Sequence, residues 1–270
     1  MKPRPFDYAR PDTVEEAVEL LAEYGDDARI LAGGQSLLPM LNLRLVEARV
    51  IVDIARIAEL DAIRDRGDMI EIGAAVTQNK LMSWPQLQKK VPLLAAAFPF
   101  VGHFQTRNRG TVCGSIAHAD PSSELPLTLA VLGGEVVLRS KRGTRTLPAS
   151  EFQIEMMTTA RETDELIAAV RFPVGEGQGV AFDEVARRHG DFAIVAVAAS
   201  TSKDGLRVGV GGMAGHPMVR TINGDTVGAI STWAEELEGY EDLHATPALR
   251  RDLFRNLAPR VIEEAKRCAG

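Results

Sequence analysis

The stretch "LAGGQSLL" (31–38) sets an apolar pair against two adjacent glycines, a glutamine and a serine, after which apolar residues return at helical spacing. One glycine is enough for a turn. Two, followed by small polar residues, leave the backbone bare where something outside the chain can come close to the peptide groups. A short strand, RIL, delivers the chain into this loop, Leu37–Leu45 leaves it as a short helix, and VIVDI (50–54) is a buried strand. Upstream, Thr13 with Glu16, followed by Val14, Ala17, Val18, Leu21 and Tyr24 on one stripe, predicts an amphipathic helix ended by Gly25.

A second segment of small residues follows. MIEIGAAV (69–76) is a strand, Asn79–Trp84 a short helix, and PLLAAAFPFVG (92–102) a buried helix opened by Pro92. RNRGTVCGSIAHADPSSELP (107–126) is then a polar loop bounded by a helix over Leu127–Leu132 and the strand EVVLR. LIAAVRFP (166–173) is a further strand. VGEGQG (174–179), with three glycines in six residues, is the linker, and the division is placed at 175/176. Beyond it, VAFDEVARR, FAIVAVAAST and LRVGVGGMA, the last two parted by the turn Lys203-Asp204-Gly205, predict a three-stranded antiparallel meander followed by a helical tail over 231–268.

Composition narrows the function classes. The 270 residues carry a net charge of −6 and no Lys/Arg block, so there is no electrostatic footprint for nucleic acid. No apolar run approaches a membrane span, and the N-terminus has no apolar targeting core, so a cytoplasmic protein is expected. Two cysteines, Cys113 and Cys268, are too few for an iron–sulfur cluster within the chain, and the five histidines lack zinc spacing; no metal site is assigned. Two Gly/Ser/Thr loops beside apolar helices can turn several amides toward one anion, and a diphosphate suits that arrangement. The first is neither a Walker A motif, having no lysine between 31 and 45, nor a G-x-G-x-x-G fingerprint.

AGGQSLLPMLNLRL (32–45) with RGTVCGSIAHADPSSELP (109–126) closely resembles the FAD-binding medium subunit of molybdenum hydroxylases, of the carbon monoxide dehydrogenase or xanthine dehydrogenase type. FDEVARRHGDFAIVAVAA (182–199) and the tail extend the resemblance. It implies an α+β fold: a vanillyl-alcohol-oxidase-type FAD-binding domain over 1–175, with subdomains of about 1–56 and 57–175, then a C-terminal flavoprotein domain over 176–270 with the three-stranded sheet and helices. It implies FAD as cofactor, bound by Ala32, Gly33, Gly34, Gln35 and Ser36 and by Thr111, Cys113, Gly114 and Ser115, with Cys113 where the family usually has glycine and its thiol beside the phosphates. Glu124, or Asp120, would hold a sugar hydroxyl, and the backbone of Ile167 would approach the isoalloxazine. Many relatives carry a lysine where this chain reads FDEVARR, leaving Arg187, Arg188 and Asp191 as substitutes.

The implied function is that of an oxidoreductase subunit: FAD takes electrons from a small partner subunit with two [2Fe-2S] clusters and passes them to an external acceptor. Substrate oxidation then belongs to a large molybdopterin subunit in a doubled heterotrimer, and no residue of this chain is catalytic. The alternatives are a stand-alone flavin oxidase or reductase and a scaffold subunit that has lost FAD.

Overall fold

The computed structural model describes residues 1–202 and 205–269. The first sheet is built by the expected capping logic. Thr13 Oγ1 accepts from the Glu16 amide (3.2 Å) and the Glu16 carboxylate accepts from the Asp12 amide (2.8 Å), fixing the start of α1. In chain order the elements are β1 (Asp7–Ala9), α1 (Val14–Tyr24), β2 (Ala28–Leu31), α2 (Leu37–Asn42) and β3 (Val50–Asp53). Helix α1 buries Val14, Ala17, Val18 and Leu21. The strands pair in the order β1-β3-β2, all parallel. Their C-terminal ends therefore open on one side, where ligands of open parallel sheets bind.

The next sheet begins with β4 (Ile63–Asp65) and β5 (Met69–Gly73). A helical excursion follows: α3 (Gln78–Met82), α4 (Leu87–Lys90), α5 (Pro92–Ala97), α6 (Phe104–Arg109), α7 (Val112–His118) and α8 (Glu124–Leu132). The chain returns through β6 (Glu135–Ser140), β7 (Gly143–Pro148), α9 (Ala149–Phe152), the hairpin β8 (Gln153–Glu155) and β9 (Thr158–Thr159), and β10 (Leu166–Pro173). The sheet order is β4-β5-β10-β6-β7, with β10 antiparallel to both neighbours. One core runs from α1 through both sheets to α7 and α8, with Ile72, Phe98, Ile116, Leu138 and Phe172 inside it.

Much of the polar loop expected over 107–126 is helical. Val112, Cys113 and Ile116 share a buried face, and Thr111 caps α7 with its side chain, so small residues hide an amphipathic turn. The glycine-rich stretch after β10 is tied at both ends: the Gly175 amide donates to the Lys90 carbonyl (2.8 Å) and the Gly179 amide to Thr201 Oγ1 (2.8 Å).

The last sheet is a four-stranded antiparallel meander, β11 (Val180–Val185), β12 (Val195–Ser202), β13 (Gly205–Gly211) and β14 (Met218–Ile222). The fourth strand was not expected; it is a short edge strand whose outward residues are exposed, so it shows no continuous apolar signal. Lys203 and Asp204 of the expected turn lie outside the described residues. The tail is two helices, α10 (Thr226–Glu236) and α11 (Pro247–Arg267), rather than one. Thr246 Oγ1 accepts from the Leu249 amide (3.3 Å) and Pro247 occupies the first turn, which restarts the helix there. Arg250, buried, binds the carbonyls of Ile194 (2.5 Å) and Gly212 (2.8 Å) and the Asp242 carboxylate (2.6 Å), pinning the break between the helices to the sheet. One face of the meander packs on α10 and α11; the other meets α5 and α8 through Leu93, Leu127, Val131, Phe182 and Ala196.

Candidate functional site

At the C-terminal edge of the parallel sheet, the chain leaves β2 into Ala32–Ser36. A Cβ placed on Gly33 would stand 2.2 Å from the Arg109 carbonyl oxygen and 2.6 Å from Gly110 Cα, so only glycine lets the two segments touch. Gly34 follows with φ +73°, a left-handed conformation that costs glycine little. The amides of Gly33, Gly34, Gln35 and Ser36 donate to no acceptor among the described residues, while Gln35 Nε2 folds back onto the Gly33 carbonyl (3.3 Å).

Ala32 and Thr111, one from each glycine segment, line a common cavity of about 320 Å³. Arg10, beyond β1, Arg56, beyond β3, and Arg109, at the end of α6, line it too, and none of the three forms an ion pair among the described residues. The Tyr8 hydroxyl donates to Asp53 across the strand ends, and that bond raises the phenol's pKa. Four unbonded amides in the residues that follow Ala32, and three unpaired guanidinium groups around the cavity that Ala32 lines, are donors of the kind that suit a doubly charged diphosphate.

The second segment is stitched to the chain after β5. Gln78 N donates to the Gly110 carbonyl (2.8 Å), Val112 N donates to the Val76 carbonyl (3.2 Å), and Thr77 and Thr111 form a bridge. Thr111 Oγ1 accepts from the Gly114 amide (2.9 Å), and a Cβ on Gly114 would lie 2.8 Å from that oxygen. Cys113 does not turn its thiol toward the cavity, contrary to the expectation of a thiol beside the phosphates. Its side chain is buried, Sγ donates to the Ile72 carbonyl at 3.5 Å, and burial pushes its pKa up to about 12. Helical periodicity explains the reversal, because the face shared with Val112 and Ile116 points at the central sheet.

Glu124 opens α8 and is buried, 5% exposed; burial, and then the charge of Asp120, push its pKa up to about 7. Glu184 on β11 is pushed up to about 8 by burial and then by the charges of Glu124 and Asp183. The end of the second segment thus faces the C-terminal sheet through carboxyl groups that favour their neutral form. Asp120 accepts from the Ser122 amide (2.9 Å), and its neighbour Pro121 accepts from the Gly212 amide (2.9 Å). Ile167 is buried in the core of the central sheet and paired with Leu138, and it does not line the cavity at the glycine segments. Arg188 and Asp191 form a turn between β11 and β12, and neither they nor Arg187 line the cavity.

Sequence reasoning missed Tyr8, Arg10, Asp53, Arg56 and Arg109 as a group. Arg109 opens the second small-residue motif, but the other four lie outside both motifs. For Tyr8, Arg10, Asp53 and Arg56 the available signal was topological: parallel strands that end together must bring the residues at and beyond their ends to one edge, whereas Arg109 arrives from α6 through the close approach of Gly33.

Comparison with known proteins gives this geometry a family. Residues 4–175 match the model of the FAD binding domain in molybdopterin dehydrogenase. The chain is 35% identical over 274 residues to the nicotine 6-hydroxylase medium subunit of Paenarthrobacter nicotinovorans, covering 96% of each chain. It is 40% identical over 209 residues to the carbon monoxide dehydrogenase medium chain of Hydrogenophaga pseudoflava, covering 77% of this chain and 73% of that one. Among solved structures, a chain of carbon monoxide dehydrogenase from the same organism superposes with a TM-score of 0.94 at 33% identity, covering 100% of both chains. A chain of quinoline 2-oxidoreductase from Pseudomonas putida 86 superposes with a TM-score of 0.90 at 33% identity. The chain therefore belongs to the FAD-binding medium subunits of the molybdenum hydroxylases and is an oxidoreductase flavoprotein subunit with FAD as its cofactor.

Proposed function

We propose that this chain is the electron-transfer subunit of a molybdenum-containing dehydrogenase complex. FAD, when bound, supplies the redox chemistry, accepting electrons from two [2Fe-2S] clusters of a small partner subunit and releasing them to an external acceptor. Substrate oxidation occurs on a large molybdopterin subunit, and the trimer is doubled. The carrying observation is the contact of Gly33 with Arg109 and Gly110 beside four unbonded amides and a cavity with three unpaired arginines.

In this reading Ala32–Ser36 and Arg10, Arg56 and Arg109 hold the diphosphate. Thr111, Gly114 and Ser115 close the second side, and Cys113 supports α7 from the core. Glu124, buried and close to neutrality, donates or accepts at a sugar hydroxyl, with Asp120 beside it; Ile167 serves as core packing. The FAD-binding unit spans 1–175 and the C-terminal unit 176–270. The two cysteines are free, which suits the reducing cytoplasm in which we place the complex. Among the described residues no helix is long and apolar enough to cross a membrane.

The test is co-purification of the chain with its partner subunits, followed by iron and molybdenum analysis and rapid-mixing spectroscopy. Flavin reduction should follow cluster reduction within one turnover. A chain that binds FAD but never acquires metal-bearing partners would overturn the assignment. Glu124→Ala should weaken FAD binding about tenfold in a folded chain, through loss of one buried hydrogen bond; an unchanged dissociation constant would remove Glu124 from the site.

A further inference from the structure

A second cavity, of about 360 Å³, lies where α8 and α9 meet the β13–β14 side of the C-terminal sheet, and it shares no lining residue with the cavity at the glycine segments. Leu129, Phe152 and Met218 give it apolar walls; Gln153, Arg207 and His216 give it polar ones. Each of these three keeps one buried polar atom without a partner among the described residues: Gln153 Oε1, Arg207 Nε and His216 Nδ1.

Their remaining atoms fix what each can offer. Gln153, 8% exposed, spends Nε2 on the carbonyls of Ala119 (2.8 Å) and Gly215 (3.2 Å), which leaves Oε1 as a committed acceptor. Arg207 donates Nη2 to the Ala130 carbonyl (3.1 Å) and has no carboxylate partner among the described residues. Neighbouring Arg220, by contrast, is paired with Glu236.

Those three atoms are almost wholly covered by the protein, so an occupant would meet the other atoms of these side chains; what points to one is an unpaired guanidinium in the wall of a cavity of ligand size. The volume sits at the small end of the range for ligand sites. A single uncompensated guanidinium matches a monoanion, its planar fork matches a carboxylate, and the apolar walls match a small hydrocarbon body.

We propose that this cavity binds a carboxylate with a small apolar body. Arg207 meets the carboxylate through its guanidinium, and Leu129, Phe152 and Met218 enclose the body. The carboxylate comes either from a free small acid or from an acidic side chain of a partner subunit.

The probe is benzoate, titrated into the FAD-loaded full chain by saturation-transfer NMR and calorimetry, with uncharged benzamide as comparator. Benzoate should bind at least tenfold more tightly, and Arg207→Gln should abolish that preference without changing flavin content. Where Arg207→Gln does not fold, Arg207→Lys should weaken benzoate about threefold, since it keeps the charge but loses the fork. Equal binding of the two probes, no saturable binding, or a folded Arg207 variant with unchanged preference would overturn the proposal. In the assembled complex, retained benzoate binding identifies a free acid. Blocked binding together with weaker subunit association in the Arg207 variant identifies a partner's side chain.

Discussion

Residues 32–36 and 111–115 share a composition of glycine and small polar or hydroxyl side chains, yet they fold in different ways. In the first, the backbone stays outside regular structure and keeps its amides free, and Gly33 is required because another backbone passes within contact distance. In the second, Thr111 caps a helix, Gly114 fits under the capping oxygen, and Cys113 is core. Small residues in the two segments thus serve two needs: exposing donors in one and permitting close packing in the other.

The contrast is sharpest at Gly33. Gly33→Val should abolish flavin retention and destabilise the fold by about 3 kcal/mol, the scale of a severe steric insertion, as read by flavin-to-protein ratio and denaturant unfolding. A variant with normal FAD content would erase the distinction between the segments.

A smaller effect is expected where the second segment meets the C-terminal sheet. Glu124 and Glu184 have folded pKa values of about 7 and about 8, above the ordinary 4.5. The folded chain therefore holds protons that the unfolded chain has released. Stability is greatest below about pH 4.5 as far as these groups are concerned, and it declines as pH rises through 7 to 8. Glu184→Gln should flatten that decline and stabilise the chain at pH 8.5 by about 1 kcal/mol, after allowing for solvent screening of its partly exposed side. Parallel pH profiles for the variant and the parent would show that the carboxyl groups are ionised in the fold.

Gly114→Ala should cost about 1 kcal/mol by displacing the Thr111 cap, with only a few-fold loss of FAD affinity. An effect as large as that of Gly33→Val would make the second segment a cradle like the first. The smallest expected change is chemical: iodoacetamide at pH 8 should label the exposed Cys268 and leave Cys113 untouched in the native chain, with FAD present or removed. Labelling of Cys113 on flavin removal would place it at the cofactor after all.

Much of the framework was legible because its signals are local. The stripe of α1, the alternating or continuous apolar runs of β3, β5, β10 and β12, and the Gly33–Gly34 pair each state their structure within a few residues. The errors have common physical roots. Helix α7 was concealed because a short helix rich in glycine, cysteine and serine looks like a loop until its buried face is known. Strand β14 was concealed because an edge strand has few buried side chains. The helical character of the tail was legible, but not its break over 237–246, whose shape depends on Arg250 reaching across to Asp242 and to the sheet. Arg10, Arg56 and Arg109 are far apart in the chain; strand order brings the first two to the cavity, and the packing of Gly33 on the end of α6 brings the third.

The position of β10 bears on how the chain is made. A ribosome releases β4, β5, β6 and β7 before it, yet β10 fills the gap between the two strand pairs. A nascent chain stopped short of Leu166 already contains both small-residue segments, 32–36 and 111–115, but it lacks the central strand against which the core beneath them packs. The sheet under those segments is therefore complete only once residues 166–173 have been added, long after the segments themselves have been synthesised.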